Sequence, residues 1–141
     1  MSPSYNHSYL TSQIVGHLYK QNNENKYNIH MELTLDINGT DYIPDIAFYE
    51  KQPVNFVRDS VKTQTMPILS IEILSLKQSV NDIIDKFEIY FQAGIQSCWL
   101  VIPPTQTISV YHDTQKASSY STGKVIDSAI DLDINIDDIF A

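Results

Sequence analysis

The seven residues Ile68-Leu69-Ser70-Ile71-Glu72-Ile73-Leu74 constrain the fold more than any other stretch of the chain. A short, nearly continuous apolar run of this kind suits a central strand that is covered on both faces. Glu72 sits in its middle, where a carboxylate costs several kcal/mol unless it is paired or binds a cation. Immediately downstream, Ser79 followed by Asp82 has the form of a helix N-cap with an acidic residue three positions on, and Gly94 closes the helix read over residues 79–93. Residues 95–102 form another apolar run, stopped by Pro103-Pro104. A strand, helix, strand passage of this kind favours a mixed sheet with helices on its faces.

The remaining segments fit around that unit. Leu10, Ile14, Val15 and Leu18 recur at helical spacing over residues 8–20, and Asn22, Asn23 and Asn25 crowd the far end. Ile29, Met31, Leu33 and Leu35 then alternate with polar residues as one strand, Asn38-Gly39 makes a tight turn, and a second strand covers residues 40–49. Residues 50–67 carry two prolines and no sustained periodicity, the mark of a long loop, and long loops often border a site. Residues 107–112 read as a strand leading to a hairpin near Gly123, and the acidic, alternating residues 127–140 as an edge strand with a last short helical turn. The expected class is α/β (α+β), with a mixed central sheet flanked by helices, and 141 residues suit one domain over 1–141.

Composition excludes several functions. Hydrophobic residues at 43% and charged residues at 18% describe a folded core rather than a disordered chain. No apolar run approaches the roughly 18–20 residues needed to span a bilayer, so no membrane partner is expected. The single Cys98 offers neither a disulfide nor a cysteine metal cluster, which suits a reducing, cytoplasmic compartment. Only four glycines are present, without a phosphate-cradling loop, and Ser70, Ser75 and Ser79 lack a nucleophile-elbow pattern. His7, His17, His30 and His112 are too scattered for a zinc motif, and exposed or capping roles are expected for them. Nine basic against seventeen acidic side chains give 9 − 17 = −8, a field that taken alone argues against a nuclease. Five of the acids are aspartates from Asp127 onward, with no basic residue among them, so residues 1–126 carry 9 − 12 = −3.

Chemistry concentrates on two strands and one helix. Asp45 and Glu72 lie on consecutive strands, and a hard divalent cation such as Mg²⁺ would turn their repulsion into binding. Asp82, Lys86 and Tyr90 are spaced four apart, on one face of the following helix. Two carboxylates holding a metal beside a lysine suit phosphodiester cleavage. Plainer roles exist for each residue. Asp45 would be a turn or strand-end residue after Pro44, Glu72 a buried acid paired with a lysine or protonated, and Lys86 a surface partner of Asp82. Asp82 would start its helix, and Tyr90 would be a core aromatic with its hydroxyl at the surface.

The ordered set Tyr42-Ile43-Pro44-Asp45, Ile71-Glu72-Ile73-Leu74-Ser75, Asp82-x-x-x-Lys86-x-x-x-Tyr90 and Ala93-Gly94-Ile95-x-x-x-Trp99-Leu100-Val101 resembles the Uma-type endonucleases abundant in cyanobacteria. These belong to the PD-(D/E)XK, restriction-endonuclease-like superfamily. The resemblance implies an αβββαβ core and a Mg²⁺-dependent endonuclease acting on DNA, with Mn²⁺ as a substitute ion. It implies Asp45 and Glu72 as metal ligands and catalytic residues, Lys86 as the catalytic lysine, and Tyr90 and Asp82 in support. The superfamily's lysine usually follows the glutamate by two residues. Leu74 stands there, so the helix must supply the lysine, with Tyr90 expected to bond it or a phosphate. His7 resembles a histidine that recurs near the family's first helix, and no catalytic step is assigned to it. The family's extra N-terminal helix and hairpin segment is expected to be lacking, and a homodimer would suit the cutting of both strands. The alternative function is a catalytically inactive member acting as a nucleic-acid-binding or protein-interaction module.

Overall fold

The computed structural model describes residues 3–22 and 24–141, so Asn23 lies outside the described residues. Helix α1 (Tyr5–Gln21) begins at Ser4, whose hydroxyl accepts from the His7 backbone N–H, and buries Leu10, Ile14 and Leu18 along one stripe. Strands β1 (Tyr27–Met31), β2 (Leu35–Ile37), β3 (Thr40–Tyr42), β4 (Ile46–Glu50) and β5 (Leu69–Ile73) follow. Then come α2 (Val80–Gln92), β6 (Ser97–Ile102), a 3-10 turn, β7 (Thr107–Tyr111), β8 (Ala117–Tyr120), β9 (Lys124–Val125), β10 (Ile134–Asn135) and α3 (Ile136–Ile139).

Six strands form one mixed sheet in the order β1-β4-β5-β6-β7-β8. Its parallel pair is β5 with β6, joined through α2, and the other pairs are antiparallel. Side chains alternate across β5 and β6, so Leu69, Ile71, Ile73, Trp99 and Val101 join α1 on one side. Cys98 and Leu100 join Ile83, Phe87 and Tyr90 of α2 on the other. The expectation of a strand covered on both faces is met, since all five residues of β5 are buried. Each large aliphatic side chain buried there contributes about 1.5–3 kcal/mol.

The two long strands expected around Asn38-Gly39 are interrupted. The turn itself forms, with φ +53° at Asn38 and +84° at Gly39, as a two-residue hairpin requires. It closes only the short β2-β3 pair, however, while β1 pairs with β4. Glu32, at φ +55°, ends β1, and Pro44 has no N–H with which to extend β3 into β4. The break lets Leu35 and Ile37 pack into the α2 side of the core.

Residues 51–68 form the expected long loop, which leaves from the end of β4 away from Asp45. It returns to the hairpin, where the Asp36 N–H donates to the Thr63 carbonyl at 2.8 Å. At the C-terminus, β10 pairs with β9 in a separate ladder rather than edging the main sheet, and α3 supplies the expected helical turn. Among the described residues, no helix is long and apolar enough to cross a membrane.

Candidate active site

The β4-β5 register pairs Ile46 with Ile71, and one further step sets Asp45 opposite Glu72. Glu72 is 2% exposed. Its Oε2 accepts from the Tyr90 hydroxyl at 2.9 Å and lies 3.8 Å from the Lys86 ammonium. Burial is the largest influence on this carboxyl and pushes it up to about 8, with the nearby Asp45 charge adding to the rise. Lys86, the Tyr90 hydroxyl and the Asp45 backbone N–H act in the opposite direction and only partly offset it. Burial and the same carboxylate also hold the Tyr90 hydroxyl far above its ordinary value, so it remains a donor.

Asp45 stands just before β4, where its Oδ2 accepts from the Ile73 N–H at 2.7 Å and lies 3.1 Å from His7 Nε2. Both contacts fall on Oδ2, leaving Oδ1 outside them. The carboxylate is therefore held from β5 on one side and from the first turn of α1 on the other. His7 was expected to be exposed or capping. Instead its side chain is only 13% exposed and its Nδ1 is buried without a hydrogen-bond partner.

The helical face carrying Asp82, Lys86 and Tyr90 runs from solvent to core. Asp82 is exposed and makes a capping box with Ser79, each side chain bonding the other's backbone N–H, which holds the Asp82 carboxyl below its ordinary value. It stands apart from the other site residues. Lys86 is one-quarter exposed and pairs with Glu72 rather than Asp82. Tyr90 is fully buried, and its hydroxyl meets Glu72 rather than the surface, the lysine or solvent.

Two hollows of about 530 Å³ each open at Asp45 and His7, one along α1 and the other toward residues 75–78, and Glu32 borders both. The structure thus brings together Asp45, Glu72, Lys86 and Tyr90, adds His7, and opens the Asp45 side of the pair to solvent, while Glu72 stays buried.

Over residues 1–135 the sequence matches the Uma2 family, described as "Putative restriction endonuclease". The chain belongs to the Uma2 family. Its fold is also that of a solved structure from Anabaena variabilis, described as a putative nuclease belonging to DUF820. That likeness has a TM-score of 0.84 at 24% sequence identity and covers 99% of this chain and 83% of the other. No curated protein matches the chain. The Uma2 match spans all of the residues just described, from His7 through Tyr90.

This Uma2 chain also buries a second carboxylate, one that sequence reading placed in an acidic tail. Asp127 accepts from Ser97 Oγ, from Trp99 Nε1 at 2.8 Å and from the Ala129 N–H at 2.9 Å, and pairs with His112 Nε2 at 2.8 Å. Burial pushes its carboxyl up, but these partners outweigh burial and hold it below its ordinary value. The available signal was the Ser97-x-Trp99 spacing, which puts two donors on one face of a buried strand.

Proposed function

We propose that this protein is a Mg²⁺-dependent endonuclease that hydrolyses DNA phosphodiester bonds, with Mn²⁺ as a substitute ion. The observation that carries the reading is the juxtaposition of Asp45 and Glu72 across β4 and β5 with Lys86 at their side. The donor set fits a hard cation. Burial and mutual repulsion raise the Glu72 carboxyl, a strain that a divalent counter-charge would relieve, and Asp45 keeps Oδ1 outside its protein contacts. Two carboxylate oxygens suffice for Mg²⁺, which retains several waters. The chemistry supplied by a bound ion is Lewis-acid activation of water and neutralisation of charge at the scissile phosphate.

The chain's own groups do the rest. Lys86 reaches from the core edge toward solvent, where its ammonium would stabilise charge growing on a non-bridging phosphate oxygen. Tyr90 fixes Glu72 through Oε2, while Ile73 N–H and His7 fix Asp45 through Oδ2. Asp82 contributes indirectly, by capping the helix that carries Lys86 and Tyr90. The lone, buried Cys98 suits a reducing compartment, and we place the protein in the cytoplasm.

Supercoiled plasmid incubated with Mg²⁺ or Mn²⁺ tests the reading. Wild type is expected to nick and linearise it, and Glu72→Ala to leave it intact. Undiminished cutting by the variant would sink the site assignment. No cutting by either protein would favour a binding module without catalysis.

A further inference from the structure

We infer that the nucleic acid reaches Asp45 as an unpaired strand, lying in an apolar trough across the end of the sheet and stacking a base on Tyr5. This rests on the nuclease reading above. The hollow at Asp45 extends to Ser75, Leu76 and Gln78. A larger hollow, of about 740 Å³, begins at the same three residues and continues past Tyr5 to Pro103 and Pro104. Shared walls make the two one path, with Asp45 at one end and the start of α1 alongside.

The walls decide what fits. Leu76 is 92% exposed and Tyr5 88% exposed, large apolar surfaces left in water beside a polar site. Tyr9 follows on the same face of α1, about 6 Å further along the helix axis, and is also exposed. Among the described residues, Lys77 is the one cation lining either hollow. Duplex binding draws its affinity from many Lys and Arg contacts to phosphates. One lysine, on a chain of net charge −8, does not supply that. Base stacking needs no cations, and every base has a π face that the stacked neighbours of a duplex hide. An unpaired strand would present its bases to Tyr5 and Leu76 and a phosphate to Lys77.

Fluorescence anisotropy tests the trough separately from the chemistry. A labelled oligodeoxynucleotide without self-complementarity is titrated in EDTA, alone and annealed to its complement. The free strand is expected to bind about tenfold or more tightly than the duplex, Tyr5→Ala to lose about tenfold, and Tyr5→Phe to stay within about twofold of wild type. Because Tyr5 is exposed, the alanine variant keeps the fold. Equal binding of strand and duplex, or Tyr5→Ala binding like wild type, would overturn the proposal. The cutting assay, on plasmid and on the same free strand with Mg²⁺, is read alongside. Cutting without strand preference rejects the trough and leaves the nuclease reading standing. Strand preference without cutting rejects the nuclease and leaves the trough as a binding surface.

Discussion

Glu72→Gln removes a charge from the core while keeping the shape of the side chain. Burial, with Asp45 beside it, raises the Glu72 carboxyl from an ordinary 4.5 to about 8. Between those values the folded protein holds a proton that the unfolded chain has released, so stability falls as pH rises. The contribution is whole below the unfolded value and is lost by the time the folded carboxyl ionises, near pH 8. At about 1.36 kcal/mol for each pH unit, the interval 8 − 4.5 = 3.5 amounts to about 5 kcal/mol. Glutamine carries no such titration. The Tyr90 hydroxyl still finds an amide oxygen, and Lys86, one-quarter exposed, turns to water. Urea unfolding is therefore expected to give similar stabilities for variant and wild type near pH 4.5, with the variant up to about 5 kcal/mol more stable at about pH 9. Saturating Mg²⁺ supplies a second readout. It should raise the unfolding midpoint of wild type near pH 8 and leave that of the variant unchanged. A variant less stable than wild type above pH 8, or two proteins with the same dependence on pH, would refute the reasoning.

Lys86→Met is expected to cut plasmid about 10²-fold more slowly, and, with its ammonium gone, to move the Glu72 carboxyl further up, so that stability keeps falling to higher pH in urea titrations. Tyr90→Phe takes the hydroxyl from a buried carboxylate and should cost about 1–3 kcal/mol in urea unfolding above pH 8, with less loss in acid, where Glu72 is protonated. Asp127→Ala leaves buried donors on Ser97 and Trp99 without an acceptor, for a loss of about 3 kcal/mol near neutral pH. The Asp127 carboxyl lies below its ordinary 3.8, so its stabilisation is present above that pH and disappears as pH falls through the folded value. The gap between wild type and Asp127→Ala should therefore narrow in strong acid, and a gap independent of pH would remove Asp127's charge from the account.

The elements that could be read in the sequence were those whose local signal and tertiary role agree. Ile68 to Leu74 is apolar because both faces of β5 are covered, and Ser79 with Asp82 caps α2 as its spacing announces. The site's outline came from the same places, since Glu72 conflicts with its strand and Lys86 and Tyr90 share a helical face. The misread stretches were those in which one residue overrules a pattern. Alternation from Ile29 to Leu35 continues past Glu32, but the left-handed backbone there turns Leu35 into a different layer. His7 looked like one scattered histidine because its partner Asp45 lies 38 positions away and meets it only when α1 packs on the face of the sheet. Asp127 was hidden by acidic neighbours, and nothing local marks it as the acceptor of donors brought from β6.

That misreading of Asp127 alters the argument from charge. The five aspartates from 127 onward were counted together as the acidic end of the chain, yet Asp127 is buried and Asp133 pairs with Lys124 at 3.1 Å. Ile130, Ile134, Ile136 and Ile139 bind the segment into the core on the α1 side. Asp131 and Asp133 border a polar hollow with Gln21, Asn22 and Glu24, at the C-terminal end of α1. His7 and Asp45 meet near the other end of that 17-residue helix, about 21 Å away along its axis. At physiological salt the screening length is about 8 Å, so Asp131 and Asp133 contribute little to the potential that a phosphate at Asp45 would feel. On the proposed reading, what a nucleic acid would meet there is local: the Asp45 and Glu72 pair, Lys86 beside it, and Lys77 at the rim. Affinity for a polyanion then depends on what neutralises the pair far more than on the net charge of the chain.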